Sequence, residues 1–191
     1  MKKISLSATL CLFLFNFGFS QKITGNLLHF NTNLNFYKSV LSVKPTTINS
    51  LSKNRGAAAA LNLMFRYPEI YKTGLSLCAV ANQLTYDNIY QERYMGLPQE
   101  NRGDFIEGSP ITYAKNLEGN LLFIHGTGDD NVYYQNAELL LNELIKHNKQ
   151  FQFMPYPNRG HNLFNQGEET SEHMSTLMTN YLKLHCPPGG R

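Results

Sequence analysis

The sequence has little net charge, few cysteines and few long apolar runs. Its formal net charge is only +3 across 191 residues, an excess too small and too scattered to indicate binding to nucleic acid or to a membrane surface. Of its three cysteines, Cys11 lies in the N-terminal apolar run, and the spacing of Cys78 and Cys186 matches no metal-binding or redox motif. Internal repeats and low-complexity tracts are absent as well. What is left is the composition of an ordinary globular chain, 42% hydrophobic and 12% aromatic, of roughly one domain.

The one long apolar run lies at the N-terminus. Lys2 and Lys3 form a basic start, an apolar stretch follows at 4–19, and Ser20 offers a small residue for cleavage. This pattern predicts a secretory signal peptide over residues 1–20 and an exported protein, periplasmic or extracellular. An anchoring helix stays open as the alternative, although a spanning helix needs about 20 apolar residues. Beyond residue 20, no stretch is long and apolar enough to cross a membrane.

Apolar spacing predicts alternating helices and strands from Gly56 onward. Residues 21–55 are rich in Asn, Thr, Ser and Lys, and their weak alternation could form one or two strands, so this segment stays unassigned. Pro68 disfavours helix at the residue before it, which places the end of the first helix near Tyr67. The predicted elements are a helix over 56–67, strands over 74–81, 121–126 and 151–157, and helices over 84–96, from about 132 to 148, and over 168–184.

The order of these elements predicts an α/β fold. Strands that alternate with helices indicate a parallel sheet with helices on both faces. Only three strands are predicted, which makes a thin sheet and indicates an incomplete domain.

Polar side chains follow the second and third predicted strands. Asp129 comes after the strand at 121–126, and His161 comes after the strand at 151–157. In an open α/β sheet the functional loops follow the carboxyl ends of strands, and an acid followed by a histidine is the chain order of α/β-hydrolases. Such an acid would orient the imidazole, and the imidazole would take a proton from a serine.

Other interpretations of the same residues stay open. The helix predicted from about Val132 needs an N-cap, which Asp130 or Asn131 would supply. A histidine beside a glycine, as at His161, is typical of a solvated loop. A metal site made from Asp129, Asp130 and His161 is disfavoured, because no cysteine or second histidine clusters with them.

Three stretches of sequence and one late histidine carry a resemblance to a known family. They are TYDNIYQERYMGLP at 85–98, SPITYAKNLEGNLLFIHG at 109–126, HGTGDDNV at 125–132, and His161. Together they resemble the catalytic domain of the prolyl oligopeptidase family, most closely its dipeptidyl peptidase IV branch. The resemblance runs from about Gly56 to the last helix. It implies that residues 56–191 are the C-terminal part of a peptidase catalytic domain with a partial α/β-hydrolase fold.

The resemblance implies a serine peptidase that releases X-Pro or X-Ala dipeptides from peptide N-termini, with no cofactor and no metal. The family's triad acid falls on Asp129 and its histidine on His161. The implied substrate-binding residues are Tyr86, Tyr90 and Val132 around the proline side chain, and Asn131 as a donor to the substrate carbonyl. Without the family, the four-residue spacing of Tyr86 and Tyr90 would instead predict packing on one helix face. Members of the family that the chain resembles often form dimers, and the sequence leaves the oligomeric state of this chain open.

The position of the family's nucleophile has no serine. The family pattern before the first helix is Gly-x-Ser-x-Gly-Gly, and the alignment places Gly56 on a glycine and Asn54 on the serine. Ser52 lies two residues upstream, where its hydroxyl would point elsewhere on a rigid turn. We therefore expect no catalysis by this chain, and an internal deletion, a gene remnant or an assembly error with its seam near 53–56 would explain the pattern. The alternative is a non-catalytic exported protein that binds peptides in the proline pocket.

Overall fold

The computed structural model describes residues 48–53 and 55–186, with side chains described from Gly56 to Cys186. The helices and strands in chain order are β1 (Ile48–Lys53), α1 (Arg55–Arg66), β2 (Tyr71–Leu77), α2 (Asn88–Met95), α3 (Arg102–Gly108), β3 (Asn120–Gly126), α4 (Gln135–Lys146), β4 (Gln152–Tyr156) and α5 (Glu168–His185). Short 3₁₀ turns lie at Gln83–Thr85, Pro110–Asn116 and Leu163–Asn165. Among these described helices, none combines the length and the apolar character that a bilayer span requires. The predicted signal peptide lies outside the described residues.

Four parallel strands form one sheet in the order β1-β2-β3-β4. The expectation of three strands is wrong, because the polar segment that forms β1 has no apolar run of its own. Pairing specifies this strand instead, with Leu51 lying opposite Leu75 of β2. The second strand spans Tyr71–Leu77 rather than the expected 74–81. It ends there because Cys78 leaves the extended conformation, with a φ of 49°.

Alternate residues of β3 pack on opposite faces of the sheet. Leu121 and Phe123 face a core cluster that includes residues of α1 and α4. Leu122 and Ile124 face a second cluster, which includes residues of α5. All four are at most 1% exposed. Since crossovers between parallel strands share one hand, strands in chain order place their crossover helices on one face. The final helix α5 covers the other face, which confirms the predicted α/β fold with helices on both faces.

The small residues of α1 allow this helix to approach the sheet closely. Ala57, Ala60 and Leu61 are at most 1% exposed, as their helical spacing predicts. Where α1 crosses β2, a Cβ atom on Gly74 would lie 2.8 Å from Met64 Sδ, so a side chain there would require Met64 to move.

The helix expected over 84–96 is shorter than predicted and follows a 3₁₀ turn. The carboxylate of Asp87 accepts a hydrogen bond from the backbone N–H of Ile89 at 2.9 Å and caps the helix. The helix therefore spans Asn88–Met95. Gly96, whose φ is 69°, is its C-cap, in agreement with the predicted end.

The segment between α2 and β3 contains structure that sequence patterns do not predict. It forms α3 and the 3₁₀ turn at Pro110–Asn116, which bury Phe105 and Ala114 against the rest of the fold. Ser109 joins the two, since its Oγ accepts from Gln83 N at 2.8 Å and donates to Phe105 O at 2.6 Å. A helix of seven residues is too short to show a clear apolar period.

Gly126, the last residue of β3, allows the loops beyond the sheet to lie against each other. A Cβ atom there would lie 2.9 Å from the carbonyl carbon of Arg159 and 3.0 Å from Gly160 O. Both are backbone atoms, which cannot swing away as a flexible side chain would. We expect Gly126→Ala to lower the free energy of unfolding by about 3 kcal/mol, at the upper end of overpacking costs, as measured by urea denaturation.

Gly103→Ala is the matched control for this substitution. Gly103 is exposed on α3, and nothing lies within 4 Å of its Cβ position. Alanine is favoured over glycine in a helix, so we expect a change between neutral and a stabilisation of about 1 kcal/mol. Similar small effects at both glycines would contradict the close approach of the loops at Gly126.

Candidate active site

The loops after β3 and β4 meet at one edge of the sheet and bring Asp129 against His161. The two strands are parallel neighbours, so their carboxyl ends lie side by side. The Nδ1 atom of His161 lies 2.8 Å from Asp129 Oδ2 and 3.1 Å from Oδ1. A backbone hydrogen bond from Gly128 N to Arg159 O, at 3.0 Å, holds the loops together. The two residues predicted as acid and histidine are therefore in contact.

Asp129 is a buried carboxylate that accepts several hydrogen bonds. Its Oδ1 accepts from the backbone N–H groups of Asn131 at 3.0 Å and of Val132 at 2.9 Å. On the other side, His125 Nε2 lies 3.2 Å from Oδ2. Burial raises the pKa of Asp129, but the hydrogen bonds from His125 and His161 outweigh it and hold the pKa well below its ordinary value of 3.8. The carboxylate is therefore ionised at neutral pH.

The contacts of His161 direct one ring nitrogen away from the acid. Carboxylate oxygens only accept, so Nδ1 carries the proton that it donates to Asp129. The other nitrogen, Nε2, is buried and has no hydrogen-bond partner within residues 55–186. An imidazole held in this way can take a proton from a hydroxyl placed at Nε2, which is the role of histidine in a serine hydrolase.

The turn after Asp129 corrects the predicted start of the next helix. This helix, α4, begins at Gln135, and its N-cap is Tyr134 rather than Asp130 or Asn131. The chain forms a further turn before the helix because the carboxylate of Asp129 binds the backbone N–H groups that follow it. The expected cap is therefore replaced by a turn that the acid itself stabilises.

A cavity of about 340 Å³ lies between α1, α2 and the segment before α2. Tyr86 and Tyr90 line it, with ring centroids 6.0 Å apart in an edge-to-face arrangement. Other lining residues include Ala58, Val80, Tyr94 and Met95. Tyr86 precedes α2 and Tyr90 lies within it, so the two tyrosines do not share one helix face.

Asn131 and Val132 connect this cavity to the acid. The hydroxyl of Tyr86 donates to Asn131 Oδ1 at 2.9 Å, so the amide NH₂ of Asn131 is directed to other acceptors. Val132 is fully buried in a small cluster with Ala58 and Val80. Tyr86, Tyr90, Asn131 and Val132 are thus brought together beside the acid. Ala58 and Val80 carry no sequence signal, because only folding brings them to the cavity.

Two further residues approach the acid without having been predicted. Cys78, His125 and Asp129 offer ligand atoms that all lie within 4.8 Å of one another, so the expectation that no cysteine or second histidine clusters with the acid is wrong. Only their positions could have indicated them from the sequence, since Cys78 and His125 stand at the carboxyl ends of adjacent strands. Hydrogen bonds already engage His125 and Asp129, because His125 Nε2 lies 2.8 Å from Val132 O and the carboxylate accepts from imidazole N–H.

The predicted nucleophile position, Asn54, lies outside the described residues. Ser52 lies within β1, in register with Ser76 of β2. It is therefore a strand residue and does not stand on the turn between strand and helix, where the family pattern has its serine.

Comparison with known proteins assigns the chain to a family. The model of the prolyl oligopeptidase family matches residues 55–186, well over half of the chain. The chain belongs to this family. Venom dipeptidyl peptidase 4 of Vespa velutina is 34% identical over 112 residues, or 57% of the chain. Dipeptidyl peptidase 4 of Bos taurus is 32% identical over 117 residues, or 60% of the chain. The crystal structure of Porphyromonas gingivalis dipeptidyl peptidase 4 matches 72% of the chain at 30% identity with a TM-score of 0.69.

The chain matches only a small part of these prolyl oligopeptidase relatives. It covers 14% of the Vespa velutina protein, 15% of the Bos taurus protein and 19% of the Porphyromonas gingivalis chain. The matches confirm the resemblance to the dipeptidyl peptidase IV branch and the partial α/β-hydrolase fold.

The lowered pKa of Asp129 predicts how stability depends on pH. The folded pKa lies below that of the unfolded chain, so the ionised carboxylate stabilises the fold above about pH 4, and this stabilisation is lost as the pH falls towards the folded pKa. We expect the difference in free energy of unfolding between wild type and Asp129→Asn to be largest near pH 7 and to shrink steadily below about pH 4. Chemical denaturation across this pH range measures the difference.

Asp130→Asn is the control for the pH experiment. It removes the same charge at the neighbouring position, but Asp130 is exposed, so we expect a small effect that changes little with pH. If the difference between wild type and Asp129→Asn stayed constant from neutral to acidic pH, the carboxylate would not be a stabilising buried charge.

Proposed function

We propose that this chain retains the acid, the histidine and the proline pocket of a dipeptidyl peptidase, and that it lacks the nucleophile needed to complete the reaction. The observation that carries the proposal is the 2.8 Å contact between Asp129 and His161, joined through Asn131 to the tyrosine-lined cavity. The substrate class is peptides with Pro or Ala second from the N-terminus. The matches to dipeptidyl peptidases support this class.

The cavity suits a small apolar side chain. Tyr86 and Tyr90 offer flat ring faces, and Ala58 and Val80 add aliphatic surface. A pyrrolidine ring or a methyl group placed there leaves water without losing a hydrogen bond, which favours binding. The amide NH₂ of Asn131, whose oxygen accepts from Tyr86, is suited to donate to a peptide carbonyl.

Asp129 and His161 form the acid–base half of a serine peptidase mechanism. Asp129 holds the proton on Nδ1 and stabilises the imidazolium, while Nε2 takes a proton from the attacking hydroxyl and returns it to the leaving amine. Asn54, at the aligned position of the serine, has no hydroxyl, so covalent catalysis has no starting group. Loss of the serine alone removes nearly all the contribution of a catalytic triad.

A second candidate is an exported protein that binds Pro-containing peptides without cleaving them. The observation that favours it is that Tyr86 and Tyr90 line one cavity, while Asn131 bonds to Tyr86 and Val132 packs against lining residues. The chain also has Asn54 at the aligned position of the nucleophile. The signal-peptide pattern at residues 1–20 supports export. Binding without turnover distinguishes this candidate from an active peptidase.

We expect the full chain to release no detectable product from a Gly-Pro chromogenic substrate, because Asn54 supplies no nucleophile. Absorbance at high protein concentration measures release, and an active dipeptidyl peptidase serves as the positive control. Turnover that a serine-directed phosphonate abolishes would show that another residue, such as Ser52, acts as the nucleophile. That outcome would overturn the proposal that the chain is inactive.

We expect Tyr86→Ala to weaken the binding of a Pro-containing dipeptide by about tenfold, since it removes a ring wall of the cavity and the hydrogen bond to Asn131. Isothermal titration calorimetry of the full chain measures the affinity. Tyr67→Ala is the matched control, because Tyr67 is 48% exposed at the end of α1 and does not line the cavity. If the wild-type chain released no heat of binding on titration with the dipeptide, both the assignment of the pocket and the proposal of a peptide-binding protein would be wrong.

A further inference from the structure

His125 is a fully buried histidine that the proposed mechanism does not use. It stands near the carboxyl end of β3, four residues before the acid, and its side chain is 0% exposed. Its ring lies edge-to-face against Phe123 and Tyr134, with both centroid distances at 5.9 Å. Packing on two sides therefore fixes the plane of the imidazole.

The fixed ring places Nε2 between two hydrogen-bond acceptors. The backbone oxygen of Val132 lies 2.8 Å away, and Oδ2 of Asp129 lies 3.2 Å away. Neither a carbonyl nor an ionised carboxylate can donate, so the proton of His125 is on Nε2 and is shared between them. A hydrogen bond to a charged acceptor is roughly twice as strong as one between neutral groups.

One acceptor belongs to the contact between Asp129 and His161, and the other lies beside the tyrosine-lined cavity. Asp129 Oδ2 is the oxygen that lies 2.8 Å from His161 Nδ1. Val132 packs against Ala58 and Val80, which line the cavity, and its backbone N–H donates to the other oxygen of Asp129 at 2.9 Å. The turn at 129–132 is thus held from two sides. The carboxylate of Asp129 accepts from the backbone N–H groups of Asn131 and Val132, and His125 Nε2–H donates to the carbonyl of Val132.

We propose that His125 is a positioning residue, which orients the carboxylate of Asp129 towards His161 and holds Val132 against the residues that line the cavity. The second role rests on the proposed function, and the first does not. The competing explanation is that His125 only fills space in the core. The positioning role requires the Nε2–H group as a hydrogen-bond donor, whereas the space-filling role requires only the volume of the ring.

Two side chains of matched length separate these explanations. His125→Gln places an amide N–H where Nε2–H stands, whereas His125→Met has similar length and no donor. We expect the methionine variant to raise the pKa of Asp129, measured from its carboxyl ¹³C resonance in a pH titration of the full chain, by about one pH unit. The glutamine variant should keep the pKa of Asp129 close to that of wild type. If Gln and Met variants both kept the wild-type value, or both shifted it equally, His125 would be a packing residue and the proposal would be overturned.

A third variant covers the possibility that methionine prevents folding. His125→Phe keeps a flat ring against Phe123 and Tyr134 and also lacks a donor, so it should raise the pKa of Asp129 as methionine does. If neither donor-free variant folds while His125→Gln folds with a wild-type pKa for Asp129, the N–H group is what the site requires, and the proposal stands. Failure of the glutamine variant to restore that pKa would count against it.

Dipeptide binding tests the second role separately. We expect His125→Met to weaken the binding of a Pro-containing dipeptide by about tenfold and His125→Gln to recover most of the affinity. If wild type does not bind the dipeptide, the proposed function fails, yet the pKa comparison at Asp129 still decides the first role. If wild type binds and the methionine variant binds equally well, the link from His125 to the cavity is wrong.

Discussion

The carboxyl edge of the sheet depends on one buried charge, the carboxylate of Asp129. An ionised group without partners in the interior would cost several kcal/mol. Here the backbone N–H groups of Asn131 and Val132 and the ring N–H groups of His125 and His161 surround it. These donors belong to the turn at 129–132, to strand β3 and to the loop after β4 that carries His161. Satisfying the charge therefore sets the geometry of all three.

Parallel strand order is what brings these donors together. Since β2, β3 and β4 are neighbours that end at one edge, Cys78, Asp129 and His161 enter a small volume although long stretches of chain separate them. Gly126 permits the final approach, because its missing side chain leaves room for the backbone of the loop that carries His161. The core clusters on both faces support the sheet.

Features with a local signal could be predicted from the sequence, and features that depend on a distant partner could not. The helices α1 and α5, with 12 and 18 residues, show enough apolar periodicity to be recognised. Asp129 and His161 follow predicted strands, so topology pointed to them. By contrast, β1 is specified by its pairing with β2, and α3 by the burial of Phe105. For the same reason His125 looks like any strand residue until folding places its Nε2 beside Val132 O.

The hydrogen bonds to Asp129 come from one stretch of the chain. Every hydrogen bond to Asp129 described above comes from the segment between His125 and His161, whereas β1 lies two strands away from β3. Replacing Asp129 would leave buried N–H groups without an acceptor, at a cost of about 1–3 kcal/mol each. Loss of the acid would therefore disturb the turn at 129–132 as well as the contact with His161.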